Sequence, residues 1–380
     1  MTKEKIPDFR FSGYTDAWEE RKLGEVAERY DNLRVPITAK NRISGDTPYY
    51  GANGIQDYVQ GYTHDGDFLL IAEDGASDLK NYPVQHVFGK VWVNNHAHVI
   101  SGKEFIADNL FLLQSIKALN IEPFLVGGGR AKLNSDIMMN LIIALPSLPE
   151  QESIGTFFHQ LDDLLTLHQR QLDLLKEHKK TYLRLLFPAK GQKVPALRFD
   201  SFEGDWEEKK LGEVAEITMG QSPSSTNYTA NPSDYILVQG NADLKNGYVF
   251  PRVWTTQITK TADAGDLIIS VRAPVGDVAK TAFDVVLGRG VAGIKGNEFL
   301  FKTLSKLKND GYWKRLSTGS TFESINSDDI KSTIIQIPTL PEQEAIGNFF
   351  STLDEEIVQV ESKLASIKDM KATLLRKLFV

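Results

Sequence analysis

The sequence contains no cysteine among its 380 residues. This absence excludes disulfide bonds, cysteine-ligated metal centres and thiol catalysis, and it fits a protein of a reducing compartment. Long apolar runs are also missing, since none approaches the roughly 20 residues that a membrane-spanning helix needs. The first residues are polar and lack the apolar segment of a secretory signal. We therefore expect a cytoplasmic protein.

Motifs of catalysis are equally scarce. The chain lacks the Gly-x4-Gly-Lys-[Ser/Thr] loop of nucleotide-hydrolysing enzymes. It also lacks the Asn-Pro-Pro-Phe type motif of adenine methylases, from which Asn231-Pro232-Ser233 differs. Glu208 and Lys210 imitate part of a nuclease Glu-x-Lys pair, but the same tract recurs as Glu20-Arg21-Lys22, which favours a structural role. We expect no catalytic residue, no bound cofactor and a binding protein rather than an enzyme.

A metal site is weakly suggested by His96 and His98. Histidines two residues apart on a strand lie on the same face of the sheet. Structural zinc requires four ligands, however, and no third ligand is evident in the sequence. We therefore expect no metal site.

Positive charge is in short supply. The chain has 43 Lys and Arg against 50 Asp and Glu, which gives a formal net charge of −7. Domains that bind nucleic acid by themselves usually have a basic balance. Any contact with DNA must therefore come from local basic patches, or partner subunits must supply part of the neutralising charge.

What the sequence does contain is an internal repeat. Pro7–Glu28 aligns with Pro195–Glu216, and both copies contain Arg-Phe, a Trp seven residues later, and Lys-Leu-Gly-Glu-Val-Ala-Glu. Pro146–Asp162 aligns with Pro338–Asp354, and both read Leu-Pro-Glu-Gln-Glu, then Ile-Gly, Phe-Phe and Leu-Asp. The segments between these boundaries differ. We predict one fold, present twice, that carries two different surfaces.

Each copy ends in a long segment without internal proline, at 149–187 and 341–379. Apolar residues recur there alternately four and three positions apart, which is the seam of a coiled coil. Each helix would be about 58 Å long at 1.5 Å per residue. A helix with one apolar stripe must bury it, and the other copy offers the matching stripe, so we predict an antiparallel two-helix coiled coil. The predicted seam residues are Ile154, Phe158, Leu161, Leu165, Leu172, Leu175, Ile346, Phe350, Leu353, Ile357, Leu364 and Ile367.

Polar residues also fall on this seam. His168 occupies the position that is Val360 in the other copy, and we interpret it as a tolerated seam residue rather than a ligand. Lys179 and Lys371 occupy equivalent positions. They fit either a role in setting the register or side chains that extend to solvent, and we favour the second interpretation.

The two divergent segments read as α/β (α+β) domains. Short apolar runs predict strands at 68–72, 87–93, 141–145, 267–271 and 334–337. The polar loops between them supply side chains that reach phosphates and base edges, although each loop could equally be solvated surface. The candidate DNA-binding residues are Asn32, Arg34, Lys40, Asn41, Arg42, Tyr50, Asn53, Arg130, Lys132, Gln221, Ser222, Ser224, Ser225, Lys245, Asn246, Arg252, Arg272, Arg289, Ser320 and Thr321.

The recurring tracts Trp-Glu-x-basic-Lys-Leu-Gly-Glu-Val-Ala and Pro-x-Leu-Pro-Glu-Gln-Glu-x-Ile-Gly resemble those of type I restriction-modification specificity subunits. The resemblance covers nearly the whole chain. It implies two target recognition domains joined by two long helices. We predict an N-terminal segment at 1–18, recognition domains at 19–148 and 207–340, long helices at 149–187 and 341–380, and a linker at 188–206.

The resemblance also implies a function. The chain would recognise a bipartite site in double-stranded DNA, with one half-site for each recognition domain and a spacing set by the coiled coil. It would associate with two methylase subunits and two restriction subunits, and S-adenosylmethionine, ATP and magnesium would bind to those partners. The alternative is a coiled-coil scaffold that binds proteins instead of DNA, which the acidic charge favours.

Overall fold

The computed structural model describes residues 6–127, 131–317 and 323–379. The chain divides into two compact units. The first unit contains residues 1–170 and 361–380, and the second contains residues 171–360. Each unit therefore combines one divergent segment with the first half of one long helix and the second half of the other.

The first unit is built on a mixed sheet. Its elements are β1 Glu19–Lys22, α1 Leu23–Val26, β2 Ala27–Arg29, β3 Ser44–Gly51, β4 Gly54–Val59, β5 His64–Ala72, β6 Val84–Val93, β7 Ala97–Gly102, α2 Asn109–Ala118, α3 Ser135–Met139, β8 Ile142–Leu145 and the start of α4 Leu148–Leu185. The strand order is β2-β7-β5-β6-β3-β4, in which β3 and β6 are parallel, while β1 pairs with β8. One side of this sheet packs on α2 and on the long helices through the core residues Leu69, Ile71, Phe111, Phe158 and Leu378.

The second unit repeats this plan with shorter strands. Its elements are β9 Glu207–Lys210, α5 Leu211–Val214, β10 Ile217–Met219, β11 Tyr228–Thr229, β12 Tyr235–Val238, β13 Leu244–Lys245, β14 Tyr248–Val249, β15 Trp254–Thr255, β16 Thr261–Ala262, β17 Leu267–Ser270, β18 Val278–Lys280, β19 Val285–Leu287, β20 Val291–Ile294, α6 Glu298–Asn309, α7 Tyr312–Leu316, α8 Ser327–Lys331, β21 Ile334–Ile337 and the start of α9 Leu340–Leu378. The strands form two sheets, of order β10-β20-β17-β18-β14-β13 and β11-β15-β12-β19-β16, and β9 pairs with β21.

The predicted antiparallel helix pair is confirmed. In the first unit, the ring centroids of Phe158 and Phe379 lie 6.3 Å apart, and Asp162 contacts Lys371 further along α4. In the second unit, Tyr182 and Phe349 have centroids 5.0 Å apart. As the residue number rises in α4, it falls in α9. The predicted seam positions are buried or half-buried.

The two seam lysines do not extend to solvent. The Nζ of Lys179 lies 2.5 Å from Oδ1 of Asp354, and Lys371 contacts Asp162 in the same way. The interpretation favoured from the sequence was therefore wrong, because each lysine is held by an acidic residue of the opposite helix. His168 is 8% exposed, in keeping with a seam position.

The recurring boundary motifs converge on a buried ion pair in each unit. Arg10 donates two hydrogen bonds of 2.7 Å to Glu150, whose carboxylate also accepts from the indole of Trp18 at 3.4 Å. The second unit has the same arrangement, in which Arg198 and Trp206 both donate to Glu342. The glutamates are 0% and 1% exposed. In both copies, the Arg, Trp and Glu of the motifs attach the chain before the divergent segment to the start of the long helix.

None of the helices in the described ranges combines the length and the apolar character that crossing a membrane would require.

Candidate nucleic-acid interface

Polar loops leave each unit from the ends of two parallel strands. In the first unit β3 and β6 end side by side, and the amide of Asn94 donates to the carbonyl of Tyr50 at 3.1 Å. In the second unit β12 and β19 end side by side, and the amide of Gly288 donates to the carbonyl of Val238 at 2.8 Å. Binding residues concentrate on loops that a rigid scaffold holds in this way.

Two further segments join these loops through equivalent backbone hydrogen bonds. The amide of Glu73 donates to His96, and the carbonyl of Glu73 accepts from Leu133. In the second unit the amide of Val271 donates to Gly290, and the carbonyl of Val271 accepts from Ile325. We call residues 51–54, 73–78, 94–96, 126–127 and 131–133 loop cluster 1, and residues 220–224, 239–243, 271–276, 288–290 and 323–325 loop cluster 2.

In loop cluster 1, short polar side chains shape the loops. The amide group of Asn53 donates to the carbonyl of Gly75 at 2.9 Å and accepts from the backbone of Ser77 at 2.8 Å. His96 Nδ1 lies 2.5 Å from the carboxylate of Asp74. Asn95, which directly precedes His96 in the chain, is exposed. The surface therefore offers amide and imidazole groups on a backbone that internal hydrogen bonds hold in place.

An ionic network lies directly beneath loop cluster 1. Glu73 contacts Arg34 at 2.6 Å and Lys132 at 2.8 Å, and His98 contacts Asp31 at 2.8 Å. Burial by itself would raise the pKa of the Glu73 carboxyl, but hydrogen bonds from Lys132 and Arg34 outweigh it and leave the pKa below its usual value. The carboxylate is therefore ionised at neutral pH and ties Lys132 to the core of the unit.

This network also holds one of the residues that were predicted to bind DNA. Arg34 was expected to face DNA, but its side chain is only 15% exposed and also donates to the carbonyl of Ala97 at 2.9 Å. Its donors are engaged inside the unit, which argues against a base contact. His98 is likewise engaged internally, since its Nε2 donates to the carbonyl of Leu133 at 2.8 Å and its Nδ1 lies 2.8 Å from the carboxylate of Asp31. Across residues 6–127, 131–317 and 323–379, no group of three potential ligands is placed to hold a metal ion.

Loop cluster 2 brings several predicted residues together. The amide of Gln221 donates to the carbonyl of Leu287 at 2.8 Å, and the hydroxyl of Ser222 accepts from the amide of Arg289 at 3.0 Å. Arg289 and Arg272 are exposed, and the amide of Val271 reaches the loop of Arg289 through Gly290. The two arginines and the two polar residues therefore share one surface.

Gly290 explains how these loops approach each other so closely. A Cβ atom at this position would lie 2.1 Å from the carbonyl oxygen of Gln239, so the backbone contact tolerates only glycine. Gln239 and Gly240 in turn donate their amides to the carboxylate of Asp243, at 2.7 Å and 3.2 Å. Asp243 is 3% exposed and also accepts from Arg252 at 2.9 Å. Asp243 therefore fixes both the loop backbone and the side chain of Arg252.

A β-hairpin extends loop cluster 2. Its strands β13 and β14 pair through Lys245 and Tyr248, and Asn246 at the turn adopts the left-handed conformation with φ of +52°, which Asn tolerates better than most residues. The Nζ of Lys245 lies 4.2 Å from the ring centroid of Phe250, whose amide donates to the carbonyl of Asp243. The hairpin tip thus presents an exposed Lys245 and Asn246 beside the loops.

Of the remaining predicted residues, Tyr50 is joined to loop cluster 1 through its hydrogen bond with Asn94, and Ser224 belongs to loop cluster 2. Arg42 contacts Asp57 at 3.2 Å and lies 4.1 Å from the ring centroid of Tyr49, so it supports the β3–β4 hairpin. Asn32, Lys40 and Asn41 are exposed on short helical turns. Tyr50 is half-buried, whereas Ser224 and Ser225 are exposed. Arg130, Ser320 and Thr321 lie outside the described residues.

Sequence reasoning missed several residues that shape the loops, namely Asp74, Gln239 and Asp243. The sequence did contain a signal for one region. Gly51-Ala52-Asn53 and Gln239-Gly240-Asn241 are separated by the same number of residues as the two copies of the N-terminal boundary motif, so they are equivalent positions of the repeat. Asp74 and Asp243 could not be found in this way, since their importance depends on a hydrogen-bond partner elsewhere in the chain.

The family of the chain is identified by comparison with known proteins. Residues 15–177 and 203–368 match the model of the type I restriction modification DNA specificity domain. The chain belongs to this family. Both matches contain one loop cluster and most of one long helix, so the family match has the same twofold repetition as the fold.

Individual relatives agree with the family. The chain is 31% identical over 374 residues to a putative type I restriction enzyme specificity subunit of Haemophilus influenzae, covering 90% of this chain and 89% of the relative. It is 32% identical over 268 residues to the putative MjaX specificity subunit of Methanocaldococcus jannaschii, covering 67% and 62%. The crystal structure of the type I restriction-modification S subunit from M. genitalium has the same fold, with a TM-score of 0.73, 14% identity and 99% of each chain covered.

Proposed function

We propose that this specificity subunit is the non-catalytic DNA reader of its restriction-modification complex, with loop cluster 1 reading one half-site and loop cluster 2 the other. One observation carries the proposal. The two clusters share a backbone frame, down to equivalent hydrogen bonds at Glu73 and Val271, but present different side chains. A repeated frame with unlike surfaces suits two related ligands that differ in detail, such as two short DNA sequences.

The chemistry of loop cluster 2 suits direct readout of bases. An arginine reads guanine through two hydrogen bonds in the major groove, and asparagine or glutamine reads adenine. Arg289 and Arg272 are exposed beside Gln221, and the backbone around them is held by buried contacts. We assign base contacts to these residues, and phosphate contacts to Lys245 and Arg252 at the hairpin. In loop cluster 1 we assign the DNA contacts to Asn95 and Lys132.

The long helices supply the remaining part of the proposal. We infer that the helix pair sets the number of unread base pairs between the half-sites, as dimer geometry does in other DNA-binding proteins. Two methylase subunits and two restriction subunits would associate with the repeated elements of the chain. S-adenosylmethionine, ATP and magnesium would then bind to those subunits, and this chain would carry no cofactor.

A genome-wide map of methylated adenine tests this function. Cells with and without the gene are compared, and we expect one bipartite motif to disappear on deletion. In a second strain, residues 19–148 of this chain are replaced by the corresponding segment of a different specificity subunit. One half of the motif should change and the other should persist. If both halves change, or if no motif depends on the gene, the assignment of one half-site to each loop cluster is wrong.

The acidic balance favours one other function, a scaffold that binds only proteins. The discriminating measurement is the salt dependence of DNA binding by the chain together with its methylase. Phosphate contacts release counterions and give a steep fall in affinity with salt. A scaffold would show no binding to duplex DNA at any salt concentration.

A further inference from the structure

Five charged side chains form a continuous row of ion pairs in the second unit. The Nζ of Lys280 lies 2.6 Å from Glu298, whose other oxygen is 2.9 Å from the Nζ of Lys302. Lys302 in turn contacts Asp354 at 2.6 Å, and Asp354 contacts Lys179 at 2.5 Å. The row starts on the sheet, passes through α6, and ends on the two long helices.

Lys302 is the centre of this row and is nearly inaccessible. It is 1% exposed, and its Nζ lies 4.7 Å and 5.8 Å from the ring centroids of Phe301 and Phe350. Burial opposes the ionisation of Asp354, but hydrogen bonds from Lys179 and Lys302 outweigh it, and the pKa of its carboxyl lies below the ordinary value. The buried Nζ of Lys302 lies between two carboxylates that are themselves mostly buried.

The start of the row lies next to the candidate reading surface. Lys280 is the partner of Tyr248 in the sheet, and its amide donates to the carbonyl of Gly247 at 2.9 Å. Gly247 follows Asn246 at the tip of the hairpin that extends loop cluster 2. The side chain of Lys280 also lies 5.3 Å from the ring centroid of Tyr248. A backbone hydrogen bond joins the hairpin to Lys280, and ion pairs continue from Lys280 to the helix pair.

Among the described residues of the first unit, no equivalent row of five charged side chains is present. The helices α2 and α6 begin in the same way, since Asp108 accepts from the third residue after it and Asn297 does likewise. Under this alignment Asn109 takes the place of Glu298, and the apolar Leu113 takes the place of Lys302. The pair of Asp162 and Lys371 is retained, and the charge of Lys117 in α2 interacts with both of these residues. The fold therefore does not need the row in order to attach a reader to the helices.

A buried ion pair contributes little net stability compared with apolar packing of the same volume, whereas it demands a defined geometry. We propose that Lys302 is a positioning residue, which fixes the orientation of α6 and of the hairpin beside loop cluster 2 against the two long helices. This inference rests on the proposed function, because it assigns Lys302 an effect on reading the second half-site. The first unit has the apolar Leu113 at the position of Lys302.

The test compares variants of the full chain in complex with its methylase. Lys302→Leu removes the central charge, and Lys302→Leu combined with Glu298→Asn reproduces the pattern of the first unit. Lys306→Met is the matched control, because Lys306 is on the same helix and forms an exposed pair with Asp310 at 2.6 Å, which contributes little to stability. The readouts are methylation rates on DNA with a mismatch in the first half-site, in the second half-site, or in spacer length, together with the melting temperature.

We expect Lys302→Leu to reduce discrimination against mismatches in the second half-site and against altered spacers by about tenfold. Discrimination at the first half-site should stay unchanged, and so should all properties of Lys306→Met. Equal loss at both half-sites, or a lower melting temperature with discrimination intact, would show a purely structural role.

If Lys302→Leu does not fold, Lys280→Met breaks the row at its partly exposed end and should give the same selective effect. The wild-type complex reports separately on the proposed function. If it shows no bipartite preference at all, the proposed function fails. If it shows the preference and the variants keep full discrimination at the second half-site, only the role of Lys302 fails.

Discussion

The Nζ of Lys179 in the first long helix lies 2.5 Å from Oδ1 of Asp354 in the second. The same pair occurs with the helices exchanged, as Lys371 of the second helix and Asp162 of the first. Both lysines and both aspartates are related by the offset that relates the two copies of the repeat. Such reciprocal contacts are typical of a twofold interface, in which the same patch is used by both partners.

These pairs should set the register of the helices. Reversing one charge, in Asp162→Lys or Lys371→Asp, should lower the free energy of unfolding by about 1–3 kcal/mol, between the values for exposed and for buried pairs. The double variant restores opposite charges and should recover most of this loss. The check is urea unfolding of all four proteins as a double-mutant cycle. Additive losses in the double variant would mean that the pair does not interact.

The boundary motif gives a second prediction. Glu150→Gln keeps the shape of the side chain but leaves the guanidinium of Arg10, only 12% exposed, without its carboxylate. Removing one partner of a buried pair costs about 3–5 kcal/mol, so we expect a large fall in melting temperature. Glu342→Gln should do the same in the second unit. Glu152→Gln, an exposed neighbour on the same helix turn, is the control and should change stability by less than about 0.5 kcal/mol.

The periodic and repeated parts of the chain were predictable from sequence. The helices at 148–185 and 340–378 match the predicted 149–187 and 341–379 within about two residues, because a seam of alternating spacing can be buried in only one way. All five predicted strands are present in β5, β6, β8, β17 and β21. The antiparallel pairing followed from the repeat itself, since each apolar stripe matches the other copy.

The candidate site was predictable only in part. Arg289 and Ser222 were candidates because loop composition is visible in the sequence. The structure brings them together in loop cluster 2, where Arg289 is exposed and Ser222 is half-buried. The burial of Arg34 was not predictable, since the sequence cannot show that Glu73, 39 positions away, holds its guanidinium. Lys302 was missed for the same reason, because a lysine on a helix reads as exposed until its partners Glu298 and Asp354 are known.

Arg289 provides a test of base readout. Arg289→Ala should cost about 1–3 kcal/mol of discrimination at one base pair of one half-site. Lys245→Ala should instead weaken binding to all sequences similarly and reduce the slope of log affinity against log salt by about 1. Both follow from methylation and binding assays of the complex on a set of single-base variants. If Arg289→Ala weakens all sequences equally, the residue contacts phosphate rather than a base.

The carboxylate of Asp354 predicts a pH dependence. Its pKa in the folded chain lies below the ordinary 3.8, so its ionic contacts contribute stability above about pH 4 and lose it as the pH falls through the folded value. Asp354→Asn should therefore be less stable than the wild type at pH 7, and the difference should shrink below about pH 4. Urea unfolding of both proteins between pH 7 and pH 3 measures this difference. A constant difference over that range would mean that the ionised form is not the one that is stabilised.

The length of the helix pair makes the last prediction, because the seam repeats every seven residues. Deleting 165–171 together with 357–363 removes one repeat from each helix, keeps the seam in phase and shortens each helix by about 10 Å. This length corresponds to about three base pairs at 3.4 Å each. We expect the preferred spacer to shorten, or methylation to be lost if the second half-site then lies on the wrong face of the duplex.

Methylated-adenine maps of the shortened chain provide the measurement. An unchanged spacer with full activity would mean that something other than the helix pair sets the distance, and the methylase subunits would then be the element to examine.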